Sequence, residues 1–200
     1  LNEKYDPEEY QVLTPSGERS GSIIRAGIYP GGDDNPSRNI TDWAIDYLEN
    51  REGSQPFFLR VSHNYPHTPV LPSRPWDTWY KPGEIPVVYP DTDAVMTRSS
   101  WDQEASQYKN LSKLTREQYE LTWRHYMGLC AQVDHEVGRL LEVMDELGLT
   151  ENTIIVYSSD HGAGLGEFGL VTKGTFDDPS WRVPYIWSWP GHIPEGEVTG

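Results

Sequence analysis

The stretch "NTIIVYSSDHGAGLGEFG", residues 152–169, runs from a β-branched apolar segment into a carboxylate, an imidazole and four glycines. The first half has little polar alternation, as a strand buried on both faces of a parallel sheet would have. The second half admits three readings. It can be a dinucleotide-binding turn, a metal site, or a corner where an aspartate bonds its own backbone.

The residues on either side fix the fold class. Upstream, "LTREQ" opens the longest helical pattern, with Thr115 and Gln118 at capping-box spacing. Its apolar seam runs through Tyr119, Trp123, Tyr126, Cys130, Val133, Val137, Leu140, Met144 and Leu147, in steps of three and four. Gly148 is placed to end it. Downstream, "VPYIWSW" (183–189) reads as another strand, stopped by Pro190 and Gly191. Helix, strand and strand, with a further strand expected in "FFLRVSH" (57–63), give an α/β fold with a mostly parallel sheet flanked by helices. A shorter helix is expected over 39–50, capped by Asn39, with Ile40, Trp43, Ala44, Tyr47 and Leu48 on its inner face. Residues 14–38 read as loop, and the proline-rich 64–100 as a long ordered excursion over the surface.

Composition narrows the partners. Sixteen basic against 31 acidic residues give a net charge of −15, which repels nucleic acid and anionic membranes. No apolar run approaches the roughly 18–20 residues of a membrane span. The opening residues "LNEKYDPEEY" lack the basic and apolar regions of a signal peptide. A single cysteine excludes an internal disulfide framework and leaves the compartment open, secreted, periplasmic or cytoplasmic. Eight Trp and twelve Tyr suit either a packed core or a sugar-binding surface.

Gly164, Gly166 and Gly169 spell G-x-G-x-x-G, but "LVTKGTFDDPSWRVP" follows where the fingerprint needs a helix to receive a pyrophosphate. The dinucleotide reading is therefore set aside. Asp160 and His161 supply two metal-capable groups, and the remaining ligands must come from elsewhere. Lys173 offers donors to an anionic oxygen, and His67 stands between two prolines that stiffen its backbone. His63 ends the same apolar run that precedes His67. Cys130 lies on the helix seam and reads as core; His125 and His135 are expected to be solvated or capping.

Taken jointly, these motifs resemble the sulfatases, within the alkaline-phosphatase-like superfamily. The resemblance rests on Asp134, Val137, Gly138, Arg139 and Leu141 in a D-x-x-V-G-R-x-L helix, then Asp160, His161 and Gly162 after a strand. It continues through Leu165, Gly166, Gly169 and Leu170, then Lys173 and Thr175, then Ser180, Arg182, Val183 and Pro184, with "PHTP" (66–69) upstream. It implies that Asp160 and His161 are metal ligands and that His67 and Lys173 contact the sulfate oxygens. A divalent metal is implied, calcium first, with manganese or zinc as alternatives. Also implied is a formylglycine made from the Cys or Ser of a C/S-x-P-x-R motif, whose hydrate attacks sulfur while a histidine protonates the leaving oxygen.

The sequence departs from that pattern. "DNPSR" (34–38) and "VLPSR" (70–74) lack the Cys or Ser, and Cys130 is followed by "AQVD". The family's early aspartate ligands and lysine-histidine pair have no counterpart. The expectation is therefore a single partial catalytic domain over 1–200, with the nucleophile segment and a C-terminal part missing, inactive alone. The substrate expected of the parent is a small-molecule or carbohydrate sulfate ester. The alternatives are a phosphodiesterase or phosphonate monoester hydrolase of the same superfamily, and a noncatalytic sugar- or partner-binding domain. Arg182 is expected to pair with Asp177 or Asp178.

Overall fold

The computed structural model describes residues 26–89, 93, 97–100, 114–167 and 171–198. Helix α1 spans Pro36–Asn50 and α2 spans Arg116–Glu146. Strand β1 (Ile155–Ser158) follows, then the short strands β2 (Gly164–Leu165) and β3 (Val171–Thr172), a single turn α3 (Asp178–Trp181) and β4 (Tyr185–Ser188). Single 3-10 turns lie at Trp76–Thr78 and Thr150–Asn152.

Helix α2 begins as its sequence dictates. Thr115 accepts the Gln118 amide at 3.2 Å and Gln118 returns a bond to the Thr115 amide at 3.0 Å, closing the capping box. At the far end Gly148 takes φ +65°, and the amides of Gly148 and Leu149 reach back to Asp145 and Met144 at 3.0 and 2.9 Å. Between these caps the buried face follows the expected seam only in part: Tyr126, Cys130, Val137 and Leu140 are half-buried and Leu147 is exposed. Thr122, His125, Gly128, Leu129, Gln132 and Glu136 are buried with Tyr119, Trp123, Val133 and Met144. The buried face departs from one straight stripe because α2 has a different neighbour along each part of its length. Near its start it meets the β2–β3 hairpin, in the middle residues 70–77, and toward its end α1.

The middle contact corrects the expectation of a surface excursion. Val70, Leu71 and Ser73 are almost fully buried, held by parallel bridges to Ala26 and Tyr29. The carbonyls of Val70 and Pro72 accept the amides of Gly27 and Tyr29 at 3.1 and 3.0 Å. Gly128 makes this approach possible, since a Cβ there would strike the carbonyl of Trp76. Gln132, wholly buried, accepts the Ser73 amide at 3.3 Å. His125 is buried rather than solvated or capping; burial lowers its pKa, while backbone bonds to Gly27 and Val70 act the other way. The ring of His135 lies against Trp76, with centroids 5.3 Å apart.

Helix α1 starts earlier than expected. Asn35, not Asn39, is its cap, accepting the Arg38 amide at 3.0 Å, and Pro36 occupies the first turn where no amide bond is lost. Its inner face is Ser37, Thr41, Ala44 and Leu48, and Trp43 is 72% exposed. Small side chains let α1 lie close to α2, and the bulky Trp43 and Tyr47 turn outward. The contact is pinned by Arg139, which meets Asp42 and Glu136 at 2.6 Å each. Asp42 is half-exposed but Glu136 is buried, so the Glu136–Arg139 arm is the one shielded from water.

The strands differ most from expectation. Both ladders among the described residues are antiparallel: β1 with β4 in the register Ile155↔Ser188 to Ser158↔Tyr185, and β2 with β3. Among the described residues, parallel geometry is confined to the two bridges at 26–29 and 70–73. Strand β1 is not a doubly buried strand, and Val156, Tyr157, Tyr185 and Ile186 are exposed. A two-stranded ribbon has no layer of its own to cover its faces. Residues 57–63 form no strand here, although Phe57, Leu59, Val61 and His63 are half-buried and Phe58, Arg60 and Ser62 exposed. That period of two is extended chain without a ladder partner among the described residues. None of the described helices is long and apolar enough to cross a membrane.

The placement of the two helix faces has a direct check. Leu129→Ala is expected to cost about 2–5 kcal/mol of unfolding free energy in urea, and Trp43→Ala within about 0.5 kcal/mol. Equal losses would mean the inner face of α1 is wrongly assigned.

Candidate active site

At the end of β1 the chain turns through Asp160 and His161 and enters the β2–β3 hairpin, which returns it to Lys173. The hairpin thus carries a lysine back to a histidine twelve residues earlier, and Lys173 Nζ stands 2.8 Å from His161 Nε2. An ammonium can only donate, so Nε2 is the acceptor and the ring proton sits on Nδ1. Nδ1 in turn donates to the carbonyl of Gly162 at 2.8 Å, which fixes tautomer and ring orientation together.

Asp160 completes the cluster. Its Oδ1 accepts the His161 amide at 3.0 Å and its Oδ2 lies 3.7 Å from Nε2. The His161 ring foremost, with the His161 amide and the Lys173 ammonium, holds the Asp160 carboxyl below the ordinary aspartate value. The neutral ring required by the Lys173 bond weakens the first of these and leaves more to the other two. The carboxylate is well exposed, with its side chain 83% accessible, so solvent screens all three.

The loop is shaped from behind. The Gly162 amide donates to the Ser180 carbonyl at 2.8 Å, and a Cβ at Gly162 would run into the Pro179 carbonyl. Thr175 and Ser180 share a hydroxyl bond at 3.1 Å. Arg182 pairs with Asp178 at 3.3 Å, as one of the two expected partners, and Asp177 takes Arg98 at 2.7 Å. Gly166, with φ +120°, sits where any Cβ would meet the Tyr119 hydroxyl. The G-x-G-x-x-G run therefore leads into a hairpin, in keeping with the rejected dinucleotide reading; Gly169 and Leu170 lie outside the described residues.

Of the residues expected to act, the structure brings Asp160, His161 and Lys173 together. His67 it leaves with its own neighbour, Nδ1 2.6 Å from the Thr68 carbonyl. His63 is half-buried, and burial lowers its pKa against the pull of Glu136. The metal expectation can be tested on the donors themselves. Asp160 Oδ2 and His161 Nε2 are 3.7 Å apart, a gap that one ion at roughly 2.0–2.5 Å from each would bridge. Nε2 carries the ring's lone pair, which here accepts Lys173 and would have to exchange that bond for a metal, while the opposite nitrogen is anchored as a ligating imidazole needs. The pair would supply two ligands; no group of three or more such ligands occurs among the described residues.

Sequence reasoning missed what fixes the hairpin. Trp123 Nε1 donates to the Leu165 carbonyl at 2.9 Å, and the Tyr119 hydroxyl reaches the same oxygen. Both residues lay on the expected seam, but apolar periodicity does not tell a ring that fills space from one that also donates.

With this geometry in place, the comparisons with known proteins decide the family. The sulfatase family model matches residues 2–199, and the chain belongs to the sulfatase family. It is 30% identical to the multifunctional alkaline phosphatase superfamily protein PehA of Trinickia caryophylli, over 88% of this chain and 37% of that protein. It is 28% identical to an arylsulfatase of Clostridium perfringens, over 81% of this chain and 34% of the relative. Among solved structures, a phosphonate monoester hydrolase from Silicibacter pomeroyi superposes with a TM-score of 0.73 at 25% identity, covering 95% of this chain and 40% of that one. The α/β, alkaline-phosphatase-like fold class holds. The chain spans little more than a third of the length of these relatives.

Cys130 provides a check on how closed this region is. Burial pushes its thiol up to about 11. At pH 8 its reaction with Ellman's reagent is expected to be roughly 200-fold slower than that of a free thiol, and to recover in urea. Because the unfolded thiol ionises first, stability is expected to fall as pH rises above the ordinary thiol value toward 11. Fast labelling of the folded chain would place Cys130 in an open site.

Proposed function

We propose that these residues are part of an enzyme that hydrolyses sulfate esters of small molecules or carbohydrates. The observation that carries the reading is the convergence of Asp160, His161 and Lys173 at the end of β1, in a chain of the sulfatase family. Lys173 is the oxyanion donor. Its ammonium, already oriented by His161, stands where a tetrahedral anion can take the same donors, and it lowers the cost of the charge gathered on the sulfate oxygens. Asp160 and His161 would supply two of the ligands of a divalent metal, calcium first in expectation. When bound, that ion supplies Lewis-acid polarisation of the ester.

His67 is the proposed second contact to the sulfate group and the source of the proton for the leaving oxygen. The reading needs it to leave the Thr68 carbonyl to do so. The nucleophile, proposed to be a formylglycine, lies outside these 200 residues, since no C/S-x-P-x-R motif occurs in them. The 200-residue chain alone is proposed to be a partial domain without turnover. A second reading, hydrolysis of phosphonate or phosphate esters by the same site, is favoured by the likeness to the phosphonate monoester hydrolase and to PehA.

The test is turnover by the intact parent protein, with p-nitrophenyl sulfate compared directly with phenyl phosphonate and phosphate esters. Preference for the sulfate supports the first reading; preference for phosphorus esters replaces it with the second. In either case Lys173→Ala is expected to lower kcat about 10²–10³-fold, the usual cost of one oxyanion donor. Full activity in that variant would remove Lys173 from the chemistry. Measurable hydrolysis by residues 1–200 alone would overturn the partial-domain reading.

A further inference from the structure

The β2–β3 hairpin is too short to hold itself. Its ladder is two residue pairs, Gly164↔Thr172 and Leu165↔Val171, and isolated two-stranded hairpins are marginal even when longer. Yet the position of Lys173, next after β3, depends on it, and so does the 2.8 Å contact with His161. The His161 end is fixed separately, by the Gly162–Ser180 bond. The Lys173 end needs an anchor from outside the ladder.

That anchor is visible on α2. The Leu165 carbonyl receives Trp123 Nε1 at 2.9 Å and the Tyr119 hydroxyl, in a buried setting where both rings and Leu165 belong to one apolar cluster. The same hydroxyl lies 2.8 Å from the Val88 carbonyl, which adds a second loop to the contact. The Leu165 amide is taken by Glu167 at 2.7 Å, so both polar groups of this residue are fixed. Burial keeps the Tyr119 hydroxyl protonated well above its ordinary range, so it remains a donor. Hydrogen bonds in such dry surroundings hold geometry tightly because a lost partner is not replaced by water.

We infer that Tyr119 and Trp123 are positioning residues of the anion site: by holding the Leu165 carbonyl they set where the hairpin places Lys173 against His161. The inference rests on the proposed role of Asp160, His161 and Lys173, and it concerns residues that touch none of the reacting atoms. A purely structural role would make the two rings core filler, and their loss would lower stability without changing the Lys173–His161 contact in the molecules still folded.

The contact has a spectroscopic signature that needs neither metal nor substrate. In metal-free, ¹⁵N-histidine-labelled 200-residue chain near pH 8, the His161 Nε2 resonance reports whether the nitrogen accepts a bond. Lys173→Ala gives the position of the unbonded nitrogen. Trp123→Phe and Tyr119→Phe, which keep a ring and remove a donor, are each expected to shift Nε2 toward that position, and the double variant to reach it. Met144→Ala, a cavity far along the same helix, is expected to lower the urea midpoint and leave Nε2 where it was. Should the double variant not fold, the two single variants decide. The inference is overturned if folded Trp123→Phe and Tyr119→Phe keep the wild-type resonance, if Met144→Ala shifts it equally, or if Lys173→Ala itself leaves it unmoved. A parent protein that hydrolyses no sulfate ester would remove the proposed function and leave the ring shift standing, so the two failures are distinguishable.

Discussion

Burial of α2 on several faces at once is the constraint from which the other described contacts follow. A helix of 31 residues gains little from backbone propensity alone and is held by what covers it. Here the cover changes along its length. Tyr119 and Trp123 meet the hairpin, Gly128 and Gln132 meet residues 70–77, and Arg139, paired with Glu136, meets Asp42 of α1. Each contact mixes apolar area with at least one bond to a carbonyl, amide or carboxylate. The apolar area supplies most of the free energy, and the polar bonds fix the register of each partner on the helix.

The parts legible in the sequence were those governed by local rules. The capping box at Thr115 and Gln118, the end of α2 at Gly148, and the strand character of 155–158 and 185–188 follow from residues within a few positions of one another. The proximity of Asp160, His161 and Lys173 was legible because a family pattern flags them together. What escaped depends on partners distant in sequence. Ser37 and Thr41 look polar and outward-facing until α2 lies against them, and then their small size is what lets α1 pack. His125 looks like a surface histidine until residues 26–27 and 70 close over it. Strand direction is likewise not encoded in hydropathy; a run such as 183–189 serves a parallel or an antiparallel ladder equally well.

The acidity of the chain and the chemistry of its site pull in opposite directions, and local geometry decides between them. A net charge of −15 disfavours an anion anywhere on an average surface. Lys173 counters this with one cation set 2.8 Å from a neutral imidazole, so its charge is not spent on the ring. Arg182 and Arg98, in contrast, are each committed to a carboxylate, Asp178 and Asp177. The lysine's charge therefore lies close to the exposed Asp160, whose carboxyl the His161 ring and the ammonium together hold below the ordinary aspartate value.

The antiparallel register of β2 and β3 has a consequence for how this segment can vary. Side chains alternate from face to face along a strand, so the side of the hairpin on which Lys173 emerges depends on the number of residues between Leu165 and Val171. Exchanging the residues in that interval leaves the count intact. Adding or removing one, where the turn keeps its length, would slip the ladder by a position and carry the ammonium to the opposite face, away from His161. The interval is thus constrained in length as well as in composition at Gly166 and Glu167, and a slipped ladder would part Lys173 from His161 with every one of these side chains still in the sequence.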